Sequence, residues 1–203
     1  ATLGFGGTWF PIVGAALILV VSVAGLLARA PWRRVIPQAI LATYAVFAID
    51  LTLLPVYFDL GARTMYRMDW AFWQRSVNLV PFQTMIAQLA PGAPPTAVPQ
   101  ILGNLALMFP FGVLAPVVFP RLHRARSFLI SALCVGVGIE ALQLLEKVTL
   151  ISRRSIDVDD VILNVAGALL GFFVWDFVHA VVGRQERPEG HARLLSNPGV
   201  NLR

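Results

Sequence analysis

Five apolar blocks, residues 9–27, 35–57, 101–119, 127–145 and 161–182, punctuate the chain, each 19 to 23 residues long. At 1.5 Å per residue, a helix of that length covers the roughly 30 Å hydrocarbon core of a bilayer. The pattern therefore predicts an all-α fold, a polytopic transmembrane helical bundle of about five spans. Pro37 falls in the first turn of the second helix, where a missing N–H costs little. Pro110 and Pro116 fall inside the third block and predict a kink or break there. The stretch 58–100 is too long for a simple turn and is expected to lie along the outer membrane surface. Its Met68-Asp69-Trp70-Ala71-Phe72-Trp73 cluster suits a membrane interface. A short helix is expected near 82–89, followed by a flexible Pro91-Gly92-Ala93-Pro94-Pro95 segment. The predicted organisation is a first transmembrane helix and basic loop over 1–34, a transmembrane domain over 35–183, and a polar, partly disordered cytoplasmic tail over 184–203. No internal repeat is visible.

Composition turns this pattern into a class. The 203 residues are 57% hydrophobic and 13% charged, with a mean hydropathy of +0.72, against about 45–50% and about 25% in soluble domains. A water-soluble domain is excluded. The net charge of +5 could suggest nucleic acid, but the basic residues stand in short clusters between apolar blocks and read as topology signals. Ten basic residues, among them Arg29, Arg33, Arg34, Arg121, Arg124 and Arg126, fall on one side and six on the other. That bias predicts a multi-pass cell-membrane protein with its N-terminus out and C-terminus in. Ala28-Arg29-Ala30 imitates a signal-peptidase site, yet the apolar run before it is long and no basic residue precedes it, so a retained span is expected. One cysteine, Cys134, excludes a disulfide framework, and His123, His179 and His191 do not have the spacing of metal ligands.

Polar groups inside apolar spans cost several kcal/mol when unpaired, so their positions carry information. Asp50 stands near the end of the second block, Asn104 near the start of the third, Glu140 and Gln143 near the end of the fourth, and Asn164 near the start of the fifth. Spans that alternate in direction bring all five to one face, whichever side is outside. Glu140 and Gln143 share a helix face by their i, i+3 spacing, and Asp157, Asp160 and Asn164 recur at intervals of three and four. Arg154 is placed to pair bidentately with Glu140. Together these side chains predict a charged pocket roofed by the long linker. Each feature also has a plainer explanation: Asp157 to Asp160 as helix caps, Asn104 and Asn164 as interhelical bonds, Gly167 and Gly171 as a packing face, Asp50 reaching toward water. Cys134 and the histidines read as structural or solvated. The convergence of the set on one leaflet favours a site.

In order along the chain, Asn78-Leu79-Val80-Pro81-Phe82, Asn104-Leu105-Ala106-Leu107-Met108-Phe109-Pro110-Phe111-Gly112, Glu140-Ala141-Leu142-Gln143 and the run from Arg154 through Asp157, Asp160 and Asn164 to Gly171 resemble the VanZ-like membrane protein family. The likeness covers roughly residues 50–173, and Ile156 stands where that family usually has an aromatic. The resemblance implies a bacterial cell-envelope protein. Because the founding member is associated with teicoplanin resistance, it also raises a role in antibiotic resistance, as lowered susceptibility to lipoglycopeptides. The family's biochemical activity is poorly defined.

Three function classes follow. As a binding protein, the chain would engage membrane lipids, a lipid-linked precursor or a lipoglycopeptide at an outer-leaflet pocket. Arg153, Arg154 and Lys147 would meet phosphate or carboxylate, and Asn78, Asn104, Gln143 and Asn164 would orient polar head atoms, with Glu140, Asp157 and Asp160 completing the ligand-binding set. As an intramembrane enzyme acting on a lipid-linked substrate, it would use Glu140 as general base, with Asp157 and Asp160 holding water or a divalent cation such as magnesium or calcium. No Ser-His-Asp set, zinc motif or Gly-rich phosphate loop accompanies those carboxylates. Transport fits less well, because the polar set sits at one face and no inverted repeat is present.

Overall fold

The computed structural model describes residues 3–5, 10–53, 56–58, 74, 77–149 and 155–185. Six helices dominate it: α1 (Phe10–Leu27), α2 (Trp32–Leu53), α3 (Gln83–Leu89), α4 (Ala97–Val118), α5 (Ala125–Thr149) and α6 (Val158–Gln185). Each apolar block contributes one helix, the second ending at Leu53 short of its expected end at residue 57, and α3 is the short helix expected in the linker. Among the described residues, α2, α4, α5 and α6 contain stretches long and apolar enough to cross a membrane. The first block is the exception to the expected five: α1 has 18 residues, and its apolar part, Ile12–Gly25, is shorter than the other four. The aromatic cluster at 68–73, Arg153, Arg154 and residues 186–203 lie outside the described residues.

Two small strand pairs tie distant segments together. β1 (Leu3–Phe5) runs antiparallel to β2 (Val56–Phe58), and β3 (Val77–Asn78) runs parallel to β4 (Ile156–Asp157), pairing Asn78 with Asp157. The second pair fastens the linker to the entrance of α6.

Of the kink or break expected in α4, the break does not occur. The helix runs unbroken through Pro110 and Pro116, because each proline removes one donor and neighbouring helices hold the chain on course. Tyr44 of α2 donates its hydroxyl to the Leu107 carbonyl at 2.6 Å, in the turn that leads into Pro110. On its other side, α4 lies against α6 at backbone contact. A Cβ added to Gly167 would stand 2.0 Å from the Leu105 carbonyl oxygen, one on Gly171 2.1 Å from that of Phe109, and one on Gly112 2.1 Å from that of Ala168. In lipid, apolar side chains gain little by burial against one another, so small residues that admit close backbone approach hold helices together. Gly167 and Gly171 are therefore a packing face.

The two ends of the bundle differ in chemistry. Toward the end carrying Arg121, Arg124 and Arg126, the interior is filled by Met108, Phe128, Ala132, Ala168, Phe172 and Trp175, with the Phe128 and Phe172 rings stacked at 4.5 Å. His123 closes that end of α4. Pro120 has no N–H to offer the Pro116 carbonyl four residues back, and His123 Nε2 lies 3.0 Å from that oxygen instead. His123 and His179, far apart in the chain, flank Trp175 at ring distances of 4.8 and 5.2 Å. His123 and His179 belong to this aromatic end rather than to the polar one.

Candidate functional site: a polar cavity between four helices

At the opposite end, the last turns of α2 and α5 and the first turns of α4 and α6 surround a cavity of about 470 Å³. Its polar wall is made by Thr52, Gln100, Asn104, Glu140, Gln143, Ser155, Asp160 and Asn164, and its apolar wall includes Leu51, Leu107 and Ile139. Five of the residues expected at the site from the chain's polar pattern, Asn104, Glu140, Gln143, Asp160 and Asn164, thus come together in space.

Hydrogen bonds fix most of the wall. Asn104 Nδ2 donates to Asp160 Oδ1 across the α4–α6 contact. Gln143 Nε2 donates to the Thr52 carbonyl at 3.0 Å, joining α5 to α2, and Thr52 Oγ1 turns back to the Ala48 carbonyl at 2.7 Å. Glu140, only 7% exposed, accepts the Asp157 N–H on Oε2 at 3.1 Å. Asn164 is 2% exposed, and its Oδ1 is buried without a hydrogen-bond partner among the described residues.

The remaining expected residues form the roof's fastening. Asp157 precedes the first turn of α6 and caps it, Oδ1 accepting the Asp159 N–H at 2.9 Å. The same oxygen accepts Asn78 Nδ2 at 2.9 Å, while Asn78 Nδ2 also reaches Thr84 Oγ1 at 2.9 Å and Asn78 Oδ1 accepts the Val80 N–H at 3.0 Å. Both residues position the linker and stand off the cavity wall. Asp50 stands off it too, with Oδ1 buried and unpartnered among the described residues. Lys147 is buried and stands off the cavity wall. The pairing of Arg154 with Glu140 lies outside the described residues.

The sequence reading includes Asp159 only among the possible caps of α6, because the predicted site follows the 157, 160, 164 stripe. Asp159 is 1% exposed and splits its carboxylate between two backbone donors, Phe82 N–H at 2.5 Å and Met85 N–H at 3.0 Å. Phe82 sits at φ +66° after Pro81, the geometry of a type II turn position usually given to glycine, and the bond from Asp159 holds it there. The available signal was an acid directly beside Asp160, pointing about 100° around the helix from it. Thr52, Gln100 and Ser155 were missed, being common residue types at helix ends.

A cavity of this size falls within the range of small-ligand sites. Among the described residues, no group of three or more His, Cys, Asp or Glu side chains is arranged to hold a metal ion. No curated protein and no solved structure matches the chain. The VanZ/LLP1 family matches residues 40–179, more than two thirds of the length, and that segment contains every residue of the cavity wall. Extending from within α2 almost to the end of α6, a match of that breadth takes in most of the four candidate spans together with the polar end they enclose, and the chain is a membrane protein belonging to the VanZ/LLP1 family.

Proposed function

We propose that this protein binds an amphiphile at the outer leaflet of the bacterial cell membrane, the polar head entering the cavity and the chain lying against the apolar helices. One observation carries the reading: amides and carboxylates from three helices, Asn104, Glu140, Gln143, Asp160 and Asn164, face one space of about 470 Å³. Asn104, Gln143 and Glu140 are each engaged within the protein, and a group that served only to hold helices together would be closed in the same way, since a buried unmet polar group costs about 1–3 kcal/mol. Asn164 Oδ1 is left for something else. The excess of arginine at the far end supports a reading with that end in the cytoplasm and the cavity outside. A lipoglycopeptide such as teicoplanin, or the lipid-linked precursor it competes for, is an amphiphile of the required kind, and engaging either would lower susceptibility to the drug.

The test replaces Asn164 with leucine, which fills part of the cavity with an apolar side chain of similar size. Cells carrying Asn164→Leu at wild-type membrane levels are expected to lose the protein's protection against teicoplanin, while sensitivity to a glycopeptide lacking an acyl chain stays unchanged. A loss of about 1.4 kcal/mol in binding corresponds to tenfold. Equal protection by variant and wild type overturns the reading.

A second reading, an intramembrane enzyme, is favoured by one feature: Glu140 and Asp160 approach the same cavity from different helices. With Glu140 as general base, purified protein would turn over a labelled lipid-linked envelope substrate, and Glu140→Gln would slow it by about a hundredfold or more. Absence of turnover across a broad lipid panel rejects it.

A further inference from the structure

We infer that the group this cavity takes is an ammonium bearing N–H donors, as in an ethanolamine phospholipid, and not a phosphate; the inference rests on the amphiphile-binding reading above. Three donors of the wall are engaged within the protein. Asn104 Nδ2 is given to Asp160, Gln143 Nε2 to the Thr52 carbonyl and Thr52 Oγ1 to the Ala48 carbonyl. Two acceptors on α6, one helical turn apart, carry the assignment. Asp160 brings a carboxylate to the wall. Asn164 brings Oδ1, which is buried in a side chain 2% exposed and has no partner among the described residues.

A phosphate offers only acceptors to such a wall and sets its charge against Asp160. A primary ammonium offers three N–H donors and the complementary charge, and hydrogen bonds between charged partners are about twice as strong as neutral ones. Gln100 and Ser155, exposed on the same wall, keep donors for the phosphate ester that follows the ammonium in such a head.

The test uses full-length protein in detergent, offered phosphatidylethanolamine, phosphatidylcholine and phosphatidylglycerol with identical acyl chains, and reads the retained lipid by native mass spectrometry. Choline keeps the positive charge without N–H donors, and glycerol keeps hydroxyl donors without the charge. The expected result is retention of the ethanolamine lipid about tenfold over both, equivalent to about 1.4 kcal/mol. Asp160→Asn and Asn164→Leu are expected to bring the three lipids to parity. Asn164→Asp, which keeps the acceptors and adds charge, is expected to preserve or raise the preference and supplies a polar variant should leucine disturb folding. Displacement of the bound lipid by free ethanolamine would assign the site to soluble as well as lipid-borne ammonium, and resistance to displacement would assign it to the lipid. Equal retention of choline lipid, or a preference for glycerol lipid, overturns the ammonium assignment while leaving amphiphile binding in place. Retention of none of the three by wild-type protein overturns both.

Discussion

Replacing Gly167 with leucine is expected to unseat α4 from α6, lowering stability by about 3 kcal/mol or more. The first added atom would stand 2.0 Å from the Leu105 carbonyl oxygen and 2.9 Å from its carbon. Both are backbone atoms inside a helix and cannot swing aside, so the helices must part along their length. In a domain of this size, that loss corresponds to a fall of about 6 to 12 °C in Tm, measurable by thermal unfolding of the purified protein in detergent. Gly167→Ala tests the same contact with a single carbon. Gly103→Ala and Gly138→Ala are the controls, because a Cβ at either position meets nothing within 4 Å, and alanine favours a helix over glycine by up to about 1 kcal/mol. If all the alanine variants behave alike, the packing role of Gly167 is wrong. The consequence reaches the cavity, since the Asn104–Asp160 bond spans the same pair of helices.

The second large effect is expected from Asp159→Ala. Its carboxylate receives the N–H groups of Phe82 and Met85, so removal strands two backbone donors at once and releases Phe82 from φ +66°. Hydrogen bonds to a charged group contribute about 1.5–3 kcal/mol each. Opening of the linker is thus expected to become easier by about 3 kcal/mol, with amide exchange at Phe82 and Met85 rising by about a hundredfold. Asp159→Asn retains one acceptor oxygen and is expected to fall between. Exchange in the middle of α4 should move much less, because α4 holds to α6 through glycines independent of the roof. Unchanged exchange at Phe82 and Met85 in the alanine variant would show that Asp159 does not hold the roof.

Much of the bundle is legible from residues alone, for reasons that are local. A run of about 20 apolar residues can satisfy its backbone in lipid only as a helix, and each of the five blocks contributes one. Gly167 and Gly171 announce a close contact by their spacing, and Asp157 announces a cap by standing before an apolar helical run. Alternating direction then brings Asn104, Glu140, Gln143 and Asn164 to one end without knowledge of their neighbours. Other features are settled by partners distant in sequence. Pro110 and Pro116 mark a break in an isolated helix, but α4 has Tyr44 on one flank and the glycine face of α6 on the other. Asn78 reads as a ligand contact until β3 pairs with β4 and turns its amide onto Asp157.

The three acids at the start of α6 mark the boundary between what each level decides. Sequence by itself determines that Asp157, Asp159 and Asp160 begin a helix, since carboxylates there meet the unpaired N–H groups and the positive end of the helix dipole. It also determines that polar groups are rare enough elsewhere in the spans for these to matter. Only the tertiary structure decides their separate tasks: Asp157 caps α6 and holds Asn78, Asp159 holds the roof through Phe82 and Met85, and Asp160 turns to Asn104 at the cavity. Successive helical residues point about 100° apart, so neighbours in the chain face different surroundings. Which surroundings those are depends on helices that pack from far along the chain.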